Sequence, residues 1–251
     1  MTWALRLLVA AVSCGICFTV QAQPSWSMQL SAEGGIGLRN VELPRDGVVY
    51  EVSSGAYPVL GVGFDLAYHS TPHWNLSLSG RYQSSVGLIL HERLTDGTDH
   101  PRKTRSHQVE VGLSPLWKLG DQGWALQGSL GYALSELDPE NHLETPAYYL
   151  AGPYARLMLR VPLGSERVLL CLGPLGQMIV STGSELSDRG VAGSGMAAGV
   201  DAALVLGLGE HWGLALSYRE QHAWLASHAP AASTSFSDVT RLATLQLRGQ
   251  L

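Results

Sequence analysis

Alternation of apolar and polar residues is the feature that most constrains this chain, and its last segment shows it most clearly. From Val239 onward, one face carries Val239, Ala243, Leu245, Leu247, Gly249 and Leu251, while the other carries Thr240, Thr244, Gln246, Arg248 and Gln250. Successive side chains of a β-strand point to opposite faces, so this pattern predicts a strand with one apolar face. Similar alternation recurs in about ten segments, which predicts an all-β chain.

The connections between these segments alternate in length. Long connections are expected at 40–56, 87–106, 135–148, 181–191 and 225–237, and short ones at 70–73, 119–122, 163–166 and 209–211. Transmembrane barrels alternate short periplasmic turns with longer extracellular loops. We therefore predict a closed, antiparallel, up-and-down transmembrane β-barrel of about ten strands, with both ends on the short-turn side.

One segment leaves an eight-stranded barrel open as an alternative. The stretch 167–180 is apolar on both faces near Val168–Leu172 and carries Pro174 in its middle. Proline cannot donate to a strand ladder, and a closed barrel has no free edge to accommodate it. If this segment is a strand, we expect a β-bulge at Pro174.

Aromatic residues indicate which face of the barrel is outside. Tyr82 and Tyr132 follow Trp74 and Trp124 by eight residues, a rise of about 20 Å along tilted strands. Only 15% of the residues are charged, which is low for a water-soluble domain. Because tryptophan and tyrosine concentrate at lipid–water interfaces, we predict that the apolar face contacts lipid. The predicted girdle on the periplasmic side consists of Trp26, Tyr68, Trp74, Trp117, Trp124 and Trp212.

Residues 1–22 have the pattern of a cleaved secretory signal peptide. An arginine precedes an apolar run that ends at Val20, and the small residue Ala22 marks the predicted cleavage point. The run is shorter than the ~20 residues that a helix needs to span a bilayer. The remaining residues, 23–251, are predicted to form one barrel domain in the outer membrane.

Cysteine usage and charge exclude several classes of protein. With Cys14 and Cys17 in the predicted signal peptide, Cys171 is alone in the rest of the chain, which excludes a disulfide scaffold. No cysteine or histidine group has the spacing of a zinc site. The net charge of −5 argues against a nucleic-acid binder. We predict no metal site, no cofactor and no nucleic-acid partner.

From residue 25 to 251 the chain resembles bacterial outer-membrane β-barrel proteins as a class. The resemblance implies a Gram-negative outer membrane, contact with its lipid and lipopolysaccharide, and recognition of the C-terminal strand by the barrel assembly machinery. The final strand of this class usually ends in phenylalanine, whereas this one ends in Leu251.

The predicted lumen face carries a set of charged residues. Opposite charges in a confined space should pair, because an unpaired buried charge is costly. We interpret the set as an ion-pair network that fills a small barrel. The alternative is a narrow aqueous passage whose excess of arginine favours anions. The set consists of Glu33, Asp65, Arg81, Glu110, Arg156, Arg160, Asp201, Arg219 and Arg248.

Enzymes of this class place their catalytic groups at the extracellular rim. The omptin proteases, a ten-stranded family, use acidic pairs and a histidine there, and acid and imidazole groups together can activate water. This sequence carries no omptin motif, so we assign no catalytic residue. The candidate groups for such a surface hydrolase, or for a lipid A-modifying enzyme, are His91, Asp96, Asp99 and His100, then Asp138, Glu140 and His142, then His222 and His228.

The predicted function is a structural or interaction role in the outer membrane, and slow solute permeation through a narrow polar lumen is left open. A small anion-selective porin and a surface hydrolase are the alternatives. A basic run of Arg102, Lys103 and Arg105 lies in the second long connection. It is a solvated loop in one interpretation and a binding site for lipopolysaccharide phosphate in the other.

Overall fold

A computed structural model of the chain describes residues 26–45, 48–71, 73–93, 98–120, 122–140, 145–165, 167–227 and 236–251. The predicted signal peptide and its cleavage point lie outside these residues. The strands are β1 Trp26–Arg45, β2 Val48–Ser54, β3 Tyr57–Thr71, β4 Trp74–Ser85, β5 Leu88–Arg93, β6 Asp99–Leu119, β7 Trp124–Pro139, β8 Tyr148–Pro162, β9 Val168–Ile179, β10 Ser181–Thr182, β11 Val191–Gly207, β12 Trp212–Ser227 and β13 Phe236–Gln250, and a short helix, α1, spans Ser184–Asp188.

Ten of these strands form a closed ring in the order β1, β3, β4, β6, β7, β8, β9, β11, β12 and β13, and every neighbouring pair is antiparallel. The pairing of β13 with β1 closes the barrel. Cross-strand partners followed once round the ring from Gln29 lead back to β1 at Val41, twelve residues further on. That stagger corresponds to a strand tilt of about 40°. The predicted up-and-down barrel is confirmed, and the eight-stranded alternative is wrong.

The outer wall of the barrel is apolar. Leu60, Leu130 and Leu216 each expose more than half of their surface. A water-soluble protein would bury such residues, whereas a closed barrel in lipid presents them to acyl chains. No helix in the described part of the chain is long and apolar enough to cross a membrane.

The bulge predicted at Pro174 is wrong. Strands β9 and β11 pair in one continuous register that places Pro174 opposite Val200. Strands β8 and β9 also keep one register from Tyr154 to Pro162, and the pairing is only interrupted beside Pro174. The missing N–H therefore removes a local contact from the ladder without displacing either strand.

A shift of register by one residue occurs further up the same pair of strands. Tyr154 pairs with Gln177, whereas Ala151 pairs with Ser181, so the strand that continues from β9 into β10 has one extra residue. The Val180 N–H donates to the Ala151 carbonyl at 2.9 Å across this bulge. Pro153 lies within the shifted stretch of β8, where an irregular ladder accommodates a residue without an N–H.

The first two long connections are not loops. Strand β1 continues to Arg45, and strand β6 begins at Asp99. Strands β2 and β5 lie between these two ends. Pairing of β1 with β2, β2 with β5 and β5 with β6 makes a four-stranded sheet that continues the wall on the side opposite the short turns, which is predicted to be extracellular. The prediction of long loops at 40–56 and 87–106 is therefore wrong.

Candidate functional site

The barrel interior on the short-turn side is a polar cavity of about 500 Å³. It reaches the rim at Ser27, His69, Asn75 and Gln250, where the Ser27 hydroxyl and the His69 Nε2 lie 2.8 Å apart. The inner face of these strands carries small side chains, as at Gly63, and such residues leave room for water between the walls. We call this cavity, bounded by those four rim residues, the vestibule.

Six ionised side chains form a layer across the barrel above the vestibule. In one group, the Arg81 Nη2 lies 2.5 Å from the Glu33 Oε2. In the other, Arg156 and Arg219 lie between two carboxylates. We call these six residues the charge layer: Glu33, Arg81, Glu110, Arg156, Asp201 and Arg219.

The second group of the charge layer is a closed circuit of ion pairs. Arg156 contacts Glu110 at 2.9 Å and Asp201 at 3.1 Å. Arg219 contacts Asp201 at 2.7 Å and also binds Glu110. Arg81 is the cross-strand neighbour of Glu110, which joins this circuit to the Glu33 pair. Three carboxylates and three guanidinium groups thus compensate one another, which is the arrangement that makes buried charges tolerable.

The other three residues of the predicted network lie lower, in the vestibule. Asp65, Arg160 and Arg248 all line the cavity. The Arg248 Nε donates to the Gln246 Oε1 at 2.8 Å. Among the described residues, no ion pair within 4.0 Å includes Asp65, Arg160 or Arg248. The structure therefore brings six of the nine predicted residues into direct ion pairs and leaves three separate.

Above the charge layer the interior becomes apolar, in contrast to the polar lumen that the alternation predicts. The buried apolar residues of this part form a core. Of those that the structure describes, only Leu242 also lines the vestibule. We call this core the apolar plug: Val41, Leu43, Val52, Tyr57, Val59, Leu88, Leu90, Leu137, Tyr148, Leu150, Ile179, Leu186, Val191, Ala197, Ala223, Leu225, Phe236 and Leu242.

Within the apolar plug lies a completely buried ion pair. The Arg39 side chain is 0% exposed, and its Nε and Nη2 donate to the two carboxylate oxygens of Asp238 at 3.0 and 2.5 Å. The Tyr148 hydroxyl donates to Asp238 at 2.9 Å, and the Arg39 Nη1 donates to the Ser106 hydroxyl at 2.8 Å. The Phe236 ring packs edge-on against Tyr148 at 5.2 Å. A bidentate pair with both partners held by further hydrogen bonds ties β1, β6, β8 and β13 together across the barrel.

A change of phase in the alternation was the signal for the apolar plug. On β1 the apolar residues face outward as far as Leu38, which is 42% exposed, and inward from Val41, which is 0% exposed. Leu78 on β4 faces out, whereas Leu88 and Leu90 on β5 face in. Above the bilayer the outer wall contacts water, so the apolar side must turn to the interior. Assigning 40–56 and 87–106 to loops hid this inversion.

The outer wall carries aromatic residues at two heights. The six residues of the predicted girdle are all exposed or half-buried on the outer face, at the strand ends beside the short turns. The Trp26 and Tyr68 rings pack against each other, 4.9 Å apart. At the other height, the Tyr82 hydroxyl lies 2.9 Å from the His107 Nδ1. Lipid-facing residues occupy the band between the two heights, as in transmembrane barrels.

The acid and imidazole groups considered for a hydrolase do not converge. The His91 Nδ1 lies 2.9 Å from an Asp99 oxygen, and both side chains are exposed on the sheet that β1, β2, β5 and β6 form. His100 contacts Thr98. Strand β12 holds His222 on the outer wall beside Glu220 at 2.8 Å, with Trp224 against its ring.

The remaining candidates add no further cluster. Asp138 and Glu140 lie at the end of β7, and Asp138 is the cross-strand neighbour of the exposed Arg105. Asp96, His142 and His228 lie outside the described residues. Within the described ranges, no group of three or more His, Cys, Asp or Glu side chains could hold a metal ion.

Comparisons with known proteins find the same architecture. The outer membrane protease OmpT of Escherichia coli matches 91% of this chain and 97% of its own at a TM-score of 0.52, with 10% identity. An outer membrane channel of Pseudomonas putida F1 matches 93% and 98% at a TM-score of 0.46, also with 10% identity. No family model matches the chain, and no curated protein matches it by sequence. At this level of identity the likeness shows the fold alone. The fold that the chain shares with OmpT is that of an outer-membrane β-barrel, and the apolar outer wall is in keeping with it.

Proposed function

We propose that this outer-membrane β-barrel has a structural or interaction role and that its lumen does not conduct solutes. The observation that carries this proposal is the apolar plug, in which the Arg39–Asp238 pair spans the interior with 0% and 3% of the side chains exposed. An aqueous passage needs a continuous polar path, and a well-packed core holds few voids larger than a water molecule. The slow permeation and the anion-selective porin predicted from the sequence are not favoured by this geometry.

Planar-bilayer recording tests the closed lumen. We expect the purified, folded protein to give no discrete conductance steps, because the apolar plug interrupts the water path. A general-diffusion porin inserted into the same membranes serves as the positive control. A change in gel mobility on heating shows that the barrel is folded. Regular conductance steps that Arg156→Ala alters would contradict the proposal and reinstate a channel.

We further propose lipopolysaccharide as the lipid partner, bound through its phosphate groups on the outer face of β6. Along that face Val111 and Val109 lie on the outer wall, His107 lies beside Tyr82, and two exposed basic residues follow. These are Arg105 and Lys103. They lie four and six residues along β6 from Val109, the cross-strand partner of Tyr82, which places them roughly 10–15 Å higher. Basic side chains at this height can reach anionic headgroups.

The third residue of the predicted basic run faces elsewhere. The Arg102 Nε lies 3.6 Å from a carboxylate oxygen of Glu92, whose side chain is 5% exposed. Arg102 therefore compensates the buried charge of Glu92, and Lys103 and Arg105 are the basic residues that face outward. Contact of the C-terminal strand β13 with the barrel assembly machinery also belongs to this proposal, since β13 is the strand that closes the ring on β1.

Replacing Lys103 and Arg105 by glutamine is expected to weaken lipopolysaccharide binding at least about tenfold, since each basic residue near an anionic surface contributes about 1 kcal/mol. Binding would be measured as the amount of lipopolysaccharide retained by the folded protein in detergent. Lys118→Gln is the matched control, because Lys118 is an exposed lysine at the periplasmic end of the same strand. Equal retention by the double variant and the control, or undiminished binding of dephosphorylated lipid A, would refute the site.

A further inference from the structure

We propose that the vestibule is a binding site for small anions that carry carboxylate or phosphate groups, reached from the periplasm and held by Arg160 and Arg248. The site is distinct from the lipopolysaccharide surface and does not depend on it. Arg160 on β8 and Arg248 on β13 both line the cavity below the charge layer. Arginine is the side chain best matched to oxyanions, because its planar guanidinium group donates two parallel hydrogen bonds.

The charge balance of the interior leaves one positive charge in excess beside these two arginines. The charge layer is neutral within itself, since three carboxylates meet three guanidinium groups. Below it, Asp65 faces two positive charges. Arg248 interacts electrostatically with Arg160 and Arg81, which repel it, and with Asp65, which attracts it. Since arginine stays protonated in proteins, the lower cavity keeps a net positive charge that an anion can neutralise.

The shape of the vestibule favours retention over transport. Its volume of about 500 Å³ lies within the range of small-molecule pockets, roughly 300–1,000 Å³. The charge layer and the apolar plug close it on the extracellular side, while it reaches the rim on the periplasmic side. Polar groups of Gln29, Gln127 and Gln246 line the same walls and can hydrogen-bond a ligand. A solute therefore arrives and leaves through one mouth.

A cysteine within the vestibule provides a direct probe of this site. Cys171 lines the cavity with 7% of its surface exposed, and it is the cross-strand neighbour of Arg160. Two methanethiosulfonate reagents of similar size, one carrying a sulfonate and the other a quaternary ammonium group, report the local charge through their rates of reaction with this thiol. Mass spectrometry of the folded protein measures both rates, and Cys171→Ser identifies the labelled residue.

We expect the anionic reagent to react about tenfold faster than the cationic one, after each rate is divided by that for a free thiol, because a cleft of one charge concentrates the opposite ion. The ratio should approach one in Arg160→Gln/Arg248→Gln. It should stay unchanged in Arg105→Gln, which removes an exposed arginine from the outer wall. Heat-dependent gel mobility shows that each variant is folded.

Competition then identifies the anion. Protection of the thiol by inorganic phosphate but not citrate assigns a phosphate site, and the reverse assigns a carboxylate site. Equal normalised rates for the two reagents, protection by neither anion, or no reaction with either reagent would overturn the proposal. None of these outcomes bears on conductance, so the site can fail while the closed lumen stands.

Discussion

Replacing Asp238 by alanine is expected to lower the free energy of unfolding by about 3–5 kcal/mol, the usual cost of leaving one partner of a buried ion pair alone. Arg39 is 0% exposed, and Asp238 accepts hydrogen bonds from both its Nε and its Nη2. Without the carboxylate, a guanidinium group that cannot lose its proton stays inside the apolar plug. Urea-induced unfolding in detergent micelles, followed by tryptophan fluorescence, measures the change.

Two companion variants separate charge from packing. Tyr148→Phe removes one hydrogen bond to Asp238 and should cost about 1 kcal/mol. The double variant Arg39→Met/Asp238→Leu removes both charges at similar volume and should recover most of the stability that Asp238→Ala loses. If Asp238→Ala were no less stable than Tyr148→Phe, the pair would not be buried as described.

The second large effect is expected at Glu110, the carboxylate that Arg156 and Arg219 share. Glu110→Gln keeps the shape of the side chain but leaves the charge layer with one positive charge too many. We expect a loss of about 2–3 kcal/mol, because hydrogen bonds to charged groups contribute about 1.5–3 kcal/mol and Asp201 still compensates part of the excess. The same unfolding experiment measures this loss.

Glu220 supplies a matched control for Glu110. It too contacts several polar partners, namely His222, Arg241 and Tyr218, but on the outer wall of β12. Solvent-exposed ion pairs contribute about 0–1 kcal/mol, so Glu220→Gln should change the unfolding free energy little. Similar losses in the two variants would show that the charge layer is as well solvated as the outside of the barrel.

The barrel interior is filled in two ways, and the environment outside the wall explains why. Between the two aromatic heights the outer face contacts lipid, so the inner face carries serine, glutamine and paired charges. Beyond the upper aromatic residues the outer face contacts water, and the interior becomes an apolar core like that of a soluble β-sandwich. Of the two proposed binding sites, Lys103 and Arg105 lie on the outer wall around that core, and the vestibule lies below it.

The sequence by itself determined the order of the strands along the chain and the side that faces lipid, and it predicted the height of the membrane. These follow from local rules, since alternation with period two assigns each side chain to a face and aromatic rings mark the interfaces. It also assigned every member of the charge layer to the lumen face, because that assignment needs only the parity of each residue within its strand. Pro174 left the count open between eight and ten strands, and the pairing of β9 with β8 and β11 decides it.

Only the tertiary structure decided which residues meet across the barrel. Arg39 and Asp238 are 199 positions apart in the sequence. Their contact depends on the closure of β13 against β1 and on the stagger of the strands, which cannot be read from the pattern of any single strand. The same stagger selects which arginines find carboxylates and leaves Arg160 and Arg248 below the charge layer. The apolar plug was hidden for a related reason. Inverted alternation has the same period as ordinary alternation, so its meaning depends on whether lipid or water lies outside the wall, and that depends on how far each strand extends above the membrane.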